Sequence, residues 1–433
     1  MGIKGLAKLL SDEAPDCIRE VSLSSLHGRK VAVDASMAIY QFLIAVRSGN
    51  SNNPAAMLTN AEGETTSHIQ GLFNRTIRYM TEGIRPAYVF DGKPPNIKSG
   101  ELGKRREKRE KAQAELERAK EEGNVEEQDK QSKRLVRAGT KENEDCMKLL
   151  RLMGVPVVRA PCEAEAQASA LARQGVVWAV GTEDMDALTF RTPVLLRKMT
   201  FANASKSEIQ KMEYQKAIDG LELTHDQFVD LCILLGCDYC DSIRGIGPKT
   251  ALKLVREHKS IEVILKNIDR NKYGVPDTWV PEEVAEKEKL KKEQEEYNTD
   301  DEKEKNNGEG VEEEEEENDT VKVEPIYVQA RRLFNNHEVH DSVELKWTEC
   351  KPDELTKFLV DEMGFNADRV KSSIEKLQKA FKSTSKPQLR MDSFFKPKPG
   401  TGATTKKKAS EKDIKGKSKK AKTSGGKSFG RRR

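Results

Sequence analysis

The sequence predicts an α/β fold: a mostly parallel central sheet with helices on both faces, a charged helical arch, a helical hairpin region and a disordered C-terminal tail. Three observations predict it. Four short runs, RKVAVDAS (29–36), PAYVFDGK (86–93), GVPVVRAP (154–161) and GVVWAVGTED (175–184), have strand length and are apolar through their middle rather than alternating. Stretches with helical periodicity, at 67–82 and 142–152, separate them. Strands apolar on both sides need cover on both sides, which strand–helix alternation supplies in a parallel sheet.

The chain has 433 residues, enough for one large domain or two smaller ones. It is 34% charged and 36% hydrophobic, charge-rich but globular, so disorder is expected only locally. The net charge of +4 hides separation: residues 312–317 are six consecutive glutamates, and residues 396–433 hold fifteen Lys and Arg against two acids. A basic tail points to nucleic acid or nuclear import. No apolar run has the length needed to cross a bilayer, and no apolar signal segment follows Met1. In MGIKGL, Leu6 stands where a myristoylation signal has Ser or Thr. Seven scattered cysteines, an odd number, indicate a reducing compartment. Cys237-x-x-Cys240 lacks a second pair at zinc-finger spacing and reads as structural thiols. The expectation is a soluble intracellular protein, nuclear by its basic tail.

In chain order, the first 95 residues alternate strand and helix. Residues 101–137 consist of good helix formers with almost no large apolar residues beyond Leu102, Leu116, Leu135 and Val136. They read as a charged helix pair broken at Gly123–Asn124, either merely solvated or a mobile basic element that meets a polyanion. Residues 221–259 read as two or three short helices around IRGIGPKTALKLV. From 283 to 322 the chain is acidic and low in complexity, expected to be disordered. Ordered character returns through YVQARRLF and VELKWTEC and ends near Phe381. The organisation is therefore an N-terminal region 1–108, an arch 109–138, an internal region 139–282 with the glycine hairpin, an acidic insertion 283–322, a C-terminal part of the core 323–381 and a tail 382–433, with no internal repeat.

Acids cluster where the strands end: Asp34, Asp91, the pair Glu163 and Glu165, and the pair Asp184 and Asp186. Asp238 joins them where the apolar helix of LLGCDYC gives out. In a parallel sheet the C-terminal strand ends share one edge, and ligands bind there. Seven carboxylates in one region would repel and raise their own pKa values unless cations sat among them. Oxygen donors without His or Cys favour hard divalent ions, Mg²⁺ or Mn²⁺, and seven suffice for two ions placed for phosphoryl displacement. Any one of these acids alone reads as an N-cap or turn former; their coincidence carries the argument. PCEAEAQA (161–168) is the oddest case. Positions i and i+2 lie about 200° apart on a helix, so Glu163 and Glu165 are either unrelated surface charges or straddle a loop-to-helix junction.

The motifs MGIKGLAKLL, VAVDASMAIYQFL, YVFDGKPP, APCEAEAQA, GTEDMDALTF, LCILLGCDYCDSIRGIGPKTAL and VELKW together resemble the eukaryotic flap endonucleases, structure-specific 5′ nucleases of replication and repair. The resemblance covers about residues 1–280 and 323–395, and the acidic stretch between looks like an insertion relative to the family. It implies a two-Mg²⁺ site, with Mn²⁺ able to substitute, formed by Asp34, Asp91, Glu163, Glu165, Asp184, Asp186 and Asp238. It implies Lys98 and Arg105 as electrophilic groups beside the scissile phosphate, where a cation neutralises charge that builds in the transition state. Neighbours such as Lys108 and Arg109 read as solvated charges.

By the same resemblance Tyr40 stacks on a base, Arg47, Arg75 and Gly236 lie along the DNA with Glu163 and Asp238, and Thr66 helps form a pocket for a one-nucleotide 3′ flap. IRGIGPKTALKLV has glycine-hairpin character, and in the family it grips duplex backbone with a K⁺ ion through carbonyls around Ser242, Ile243 and Ile246. Gln388, Met391, Phe394 and Phe395 in QLRMDSFF have the spacing of a peptide that binds a trimeric sliding clamp, and three apolar residues in a polar tail call for a partner groove.

The implied activity is Mg²⁺-dependent 5′ flap endonuclease with 5′→3′ exonuclease. Its setting would be Okazaki-fragment maturation and long-patch base excision repair, by a monomer without membrane association. The implied location is the nucleus, nucleolus and nucleoplasm, with the mitochondrion as a further compartment. Rival readings are a Holliday-junction or nick-exonuclease paralogue, a non-catalytic clamp-tethered DNA-binding protein, and a Mg²⁺-dependent phosphatase. The last wants an early DxD, whereas Ala35 and Ser36 follow Asp34.

Overall fold

The four apolar runs become neighbouring parallel strands. β2 (Lys30–Asp34) lies at the centre, paired with β3 (Arg85–Phe90) on one side and β5 (Ala179–Gly181) on the other. β4 (Val157–Arg159) extends the sheet beyond β3, and β6 (Val194–Arg197) beyond β5, both parallel. The computed structural model describes residues 2–47, 66–135, 139–199, 208–269, 272–280 and 324–385. The acidic segment and the clamp-type peptide therefore lie outside the described residues. Beyond β6 come two antiparallel strands, β7 (Ile209–Glu213) and then β1 (Ile18–Val21), which complete the order β1-β7-β6-β5-β2-β3-β4. Sequence reading anticipated neither β1, β6 nor β7. β1, at the sheet edge, and β7 beside it carry two adjacent polar residues in their middle, a weaker signal than a run buried on both faces.

Alternate residues of the strands feed two cores. Val31 and Val33 of β2, with Tyr88 and Phe90 of β3, point into a cluster formed with α2 (Ala35–Arg47), α3 (Ser67–Thr81) and α6 (Thr140–Leu152). Ala32 and Val89 point the other way, onto Ala164, Ala168 and Leu171 of α7 (Ala164–Arg173). The alanines of α7 let that helix lie close on the sheet.

A third cluster joins α1 (Leu6–Glu13), the short α8 (Asp186–Thr189), α9 (Tyr214–Leu221), α10 (His225–Leu235), α11 (Pro248–His258) and α12 (Ile261–Asn267). Thr224 caps α10 in a reciprocal box with Gln227, and α10 stops at Gly236, whose φ of 92° disfavours any residue with a Cβ. α11 starts with Pro248 in its first turn, where a missing N–H is harmless.

The arch is two helices, α4 (Ser99–Glu121) and α5 (Val125–Arg134), turned at Gly123 and capped by Asn124, which accepts from Glu127 N–H at 3.2 Å. Ala112, Leu116 and Ala119 are buried where the two helices meet. α4 begins at Ser99, so the division at 108/109 falls inside a helix.

After the acidic segment, α13 (Ile326–Asn335) packs on α10, α14 (Pro352–Lys357) on α6, and α15 (Ala367–Ser385) on α3. Trp347 of the VELKW motif donates Nε1–H to the Pro86 carbonyl at 2.8 Å, fastening this part to β3. Among the described residues, no helix is long and apolar enough to cross a membrane.

Candidate active site

Strand order dictates where the carboxylates go. The chain runs β2, β3, β4 outward on one side of β2 and then crosses to β5 and β6 on the other, so β2 and β5 flank a switch point open at their C-terminal ends. Asp34 closes β2, Asp91 follows β3, Glu163 and Glu165 follow β4, and Asp184 and Asp186 follow β5. Asp238 arrives separately, from the turn after α10. Six of these acids line one cavity of about 500 Å³ with Tyr40, Lys98, Arg105 and Gly236. Asp186 is buried at its edge, accepting from Ile3 N–H at 3.0 Å.

Hydrogen bonds fix the acids individually. Asp34 accepts from Met37 N–H and from Thr182 Oγ1–H, both at 3.0 Å. Thr182 Oγ1 in turn accepts from Asp184 N–H at 3.1 Å, and Asp184 Oδ1 accepts from Asp186 N–H at 3.0 Å. Asp91 accepts from Ala164 N–H at 2.9 Å, which ties the start of α7 to the end of β3.

The two glutamates sit at a junction: Glu163 is the N-cap residue of α7, in extended conformation, and Glu165 lies in its first turn. Their side chains face the same cavity although their spacing forbids a shared helix face.

Charge divides the cavity in two. Lys98 Nζ lies 2.6 Å from Glu163 Oε1 and 3.0 Å from Asp238 Oδ2, and Arg105 Nη2 lies 2.8 Å from the same Asp238 oxygen. Burial opposes the Lys98 charge, but the Glu163 and Asp238 carboxylates outweigh it and raise its pKa. Burial would raise Asp238, yet Lys98 and Arg105 hold it below the usual carboxylate range.

On the other side, Asp34, Asp91, Glu165, Asp184 and Asp186 have no Lys or Arg ion pair among the described residues. Burial, then Asp91, pushes Asp34 up to about 7. Burial and the charges of Asp34, Asp91 and Asp184 push Glu165 well up, and burial with Asp184 and Asp238 does the same to Asp186.

Five uncompensated carboxylates, with no imidazole lining the cavity among the described residues, form a donor set suited to hard divalent cations. As they stand, no three His, Cys, Asp or Glu side chains among the described residues are drawn together tightly enough to hold one ion. The fit therefore rests on donor chemistry and unbalanced charge.

The remaining expected residues scatter. Thr66 lies in a second cavity, of about 600 Å³, with Gln70 and Asn74 of α3 and residues 363–376. Arg75 is stacked over the Phe42 ring, its guanidinium carbon 3.7 Å from the centroid. Arg47 ends α2, and its side chain lies outside what the structure describes.

Ile243 and Ile246 are buried, with Ile246 N–H donating to the Ile243 carbonyl at 3.3 Å, and Ser242 packs against Gly236. Gln388, Met391, Phe394 and Phe395 fall outside the described residues.

Sequence reading missed three contributors. Gly2, with φ of 70°, lies so close that a Cβ would collide with Asp184 Oδ1 and Asp186 Oδ1. Thr182 and Tyr239 orient ligand-type acids, Tyr239 donating its hydroxyl to Glu163 Oε2. Both were visible as polar neighbours of the acidic motifs, in GTEDMD and CDYC.

Two family matches cover this machinery: the XPG N-terminal domain over residues 1–112 and the XPG I-region over 154–238. The chain is 69% identical to Flap endonuclease 1 of Phaeodactylum tricornutum, across 91% of this chain and 92% of that one. It is 50% identical to Flap endonuclease 1 of Phytophthora infestans, across 94% and 96%. Among solved structures it is similar to flap endonuclease-1 from Methanococcus jannaschii, with a TM-score of 0.59 and 30% identity, covering 89% of this chain and all of the other. The catalytic core of Rad2 in complex with DNA substrate, at 21% identity and a TM-score of 0.56, shares the fold over 87% of this chain.

Proposed function

The chain belongs to the flap endonuclease family, and from that premise we propose that it cleaves 5′ flaps by hydrolysis at a two-Mg²⁺ site held by Asp34, Asp91, Glu163, Glu165, Asp184, Asp186 and Asp238. It is a structure-specific flap endonuclease by family. The observation that carries the metal assignment is the group of five buried or cleft-facing carboxylates without a basic ion-pair partner among the described residues. Divalent ions bound there would supply an activated water and neutralise phosphate charge, and Mn²⁺ would serve in place of Mg²⁺.

The chain's own residues do the rest. Lys98 and Arg105, at the base of α4, bring two fixed positive charges to the cleft, available to the non-bridging phosphate oxygens as charge builds. Tyr40, which lines the same cleft, offers a face to an unpaired base. The arch admits the single-stranded flap. The hairpin after Gly236, with K⁺ at the carbonyls of Ser242, Ile243 and Ile246, holds duplex backbone without reading sequence, alongside Arg47 and Arg75. Thr66 contributes to a pocket for a 3′ nucleotide.

The QLRMDSFF peptide docks on a trimeric sliding clamp, and the enzyme acts as a monomer in the nucleus and nucleolus, with a share in mitochondria. Labelled double-flap DNA tests the core of this reading: cleavage one step from the junction with Mg²⁺, none with EDTA. Asp184→Ala should lower turnover by at least about a thousandfold, roughly 4 kcal/mol of barrier, while flap binding stays measurable. Near-normal turnover would remove the metal assignment.

A further inference from the structure

Two neighbouring thiols, one lining the carboxylate cleft and one buried, have no role in the proposed cleavage. After Gly236 the chain folds back so that Cys237 N–H donates to the Cys240 carbonyl at 3.3 Å. This turn brings the two sulfurs to 3.6 Å, with both thiols free. Cys237 lines the cleft, and Cys240 is buried behind it. Between them in the chain stand Asp238, paired with Lys98 and Arg105, and Tyr239, bonded to Glu163. One four-residue turn thus sets two of the seven acids and carries a thiol at each end.

We propose that Cys237 and Cys240 form an oxidative modification site, at which a hydroperoxide closes an intrachain disulfide across Asp238 and Tyr239 and suppresses cleavage. With hydrogen peroxide, the Cys237 sulfur attacks one oxygen and the O–O bond breaks. The thiol proton leaves with the departing hydroxide as water, and Cys237 becomes a sulfenic acid. The Cys240 sulfur then attacks the Cys237 sulfur, the S–O bond breaks, and the Cys240 proton leaves with hydroxide as a second water. Two thiols lose two electrons, and the peroxide gains them.

Closing the bond draws the sulfurs from 3.6 Å to about 2 Å, so the residues between must move. A shift of about an ångström in a positioned group is enough to lower turnover roughly a hundredfold. Cys240 is buried, so prolonged exposure to the peroxide is needed. Cys162, also in the cleft, bonds to Glu338 and has no neighbouring thiol, which makes it the natural competitor.

The bond itself does not depend on the metal assignment, whereas its effect on cleavage rests on Asp238 serving that site. The test uses the full chain, incubated with excess hydrogen peroxide, alkylated and mapped by non-reducing peptide mass spectrometry, with flap cleavage assayed before, after, and after dithiothreitol. The expected result is a linked Cys237–Cys240 peptide, cleavage lowered at least tenfold, and recovery on reduction. Cys240→Ala should form no link and keep most of its cleavage through the same treatment.

The proposal is overturned if both cysteines remain alkylatable, if the link forms while cleavage is unchanged, or if Cys240→Ala is inactivated as fast as wild type, which would assign the loss to oxidation of a single cleft thiol, Cys237 or Cys162, rather than to the link. If that variant does not fold, the wild-type map and the dithiothreitol recovery still decide. Reduced wild type that cleaves no flap would refute the proposed function, while the peptide map would still judge the disulfide.

Discussion

Glu163 occupies the N-cap position of α7 yet caps nothing; its carboxylate turns into the cleft and accepts from Lys98 Nζ and the Tyr239 hydroxyl. A group that orients a metal-binding carboxylate typically governs affinity for the metal more than the chemical step, by about 10- to 100-fold. Tyr239→Phe keeps the ring against Phe334, 4.8 Å between centroids, and removes only the hydroxyl. It should raise the Mg²⁺ concentration for half-maximal cleavage by roughly 10- to 100-fold, with turnover at saturating Mg²⁺ within a few-fold of wild type. An unchanged Mg²⁺ titration would show that the tyrosine only packs. At this scale the sequence was legible in an instructive way. The i, i+2 spacing of Glu163 and Glu165 excluded a common helix face, and the structure resolves it as a junction, one residue outside the helix and one within its first turn. Tyr239 and Thr182 were not legible as orienting groups, because nothing local says where a hydroxyl points; that depends on partners 76 and 148 residues away.

Elements were legible where burial is two-sided. β2, β3, β4 and β5 emerged from apolar runs, and α3 and α6 from their periodicity, because hydrophobic pattern reports local environment directly. The half-exposed edge strand β1 and its neighbour β7 carry mixed residues and gave no such report. Nor does pattern reveal how α13, which follows the acidic segment, returns to α10. Arg331 makes that return specific: its guanidinium lies 2.7 Å from Asp230 Oδ1 and 3.0 Å from Oδ2, and 2.7 Å from Glu262 Oε1. Asp230 is 3% exposed and also accepts from Ile261 N–H at 3.1 Å, so α10, α12 and α13 meet at one carboxylate. Burial pushes Asp230 up against the opposing pull of Arg331. Breaking such a pair from one side leaves a buried charge, at a loss of about 3–5 kcal/mol. Arg331→Met should therefore lower the unfolding free energy extracted from urea melts by that amount, and Arg331→Met with Asp230→Asn should recover much of it. Equal destabilisation in the double variant would mean that the arginine acts through packing alone.

For the whole molecule, the sheet is a device that gathers acids, and it does so against its own stability. Asp34 has its pKa raised to about 7 by burial and by Asp91, so at pH 8 the fold must hold ionised a group it would prefer protonated. The sign follows from proton counting. Below about pH 4 both folded and unfolded chains carry the proton and there is no penalty. As pH rises toward 7 the unfolded chain releases the proton first, so stability falls, and above about 7 the penalty is constant. At 1.36 kcal/mol per unit, a shift of about three units bounds it near 4 kcal/mol. Asp34→Asn keeps an acceptor for Met37 N–H and removes the charge. In EDTA the variant should be more stable than wild type above pH 7, by up to roughly that bound, and indistinguishable from it near pH 4. Mg²⁺ should narrow that difference at pH 8. An ion that binds only the folded chain stabilises it by RT ln(1 + [L]/Kd), about 2.7 kcal/mol at one hundred times Kd, and the variant forgoes most of that gain with its cleavage. Urea melts of both chains at pH 4.5 and 8, with EDTA and with Mg²⁺, contain the whole argument. A wild type that is the more stable chain in EDTA at pH 8 would show that the acids are not held in mutual repulsion, and the unbalanced charge that supports the metal site would have to be abandoned.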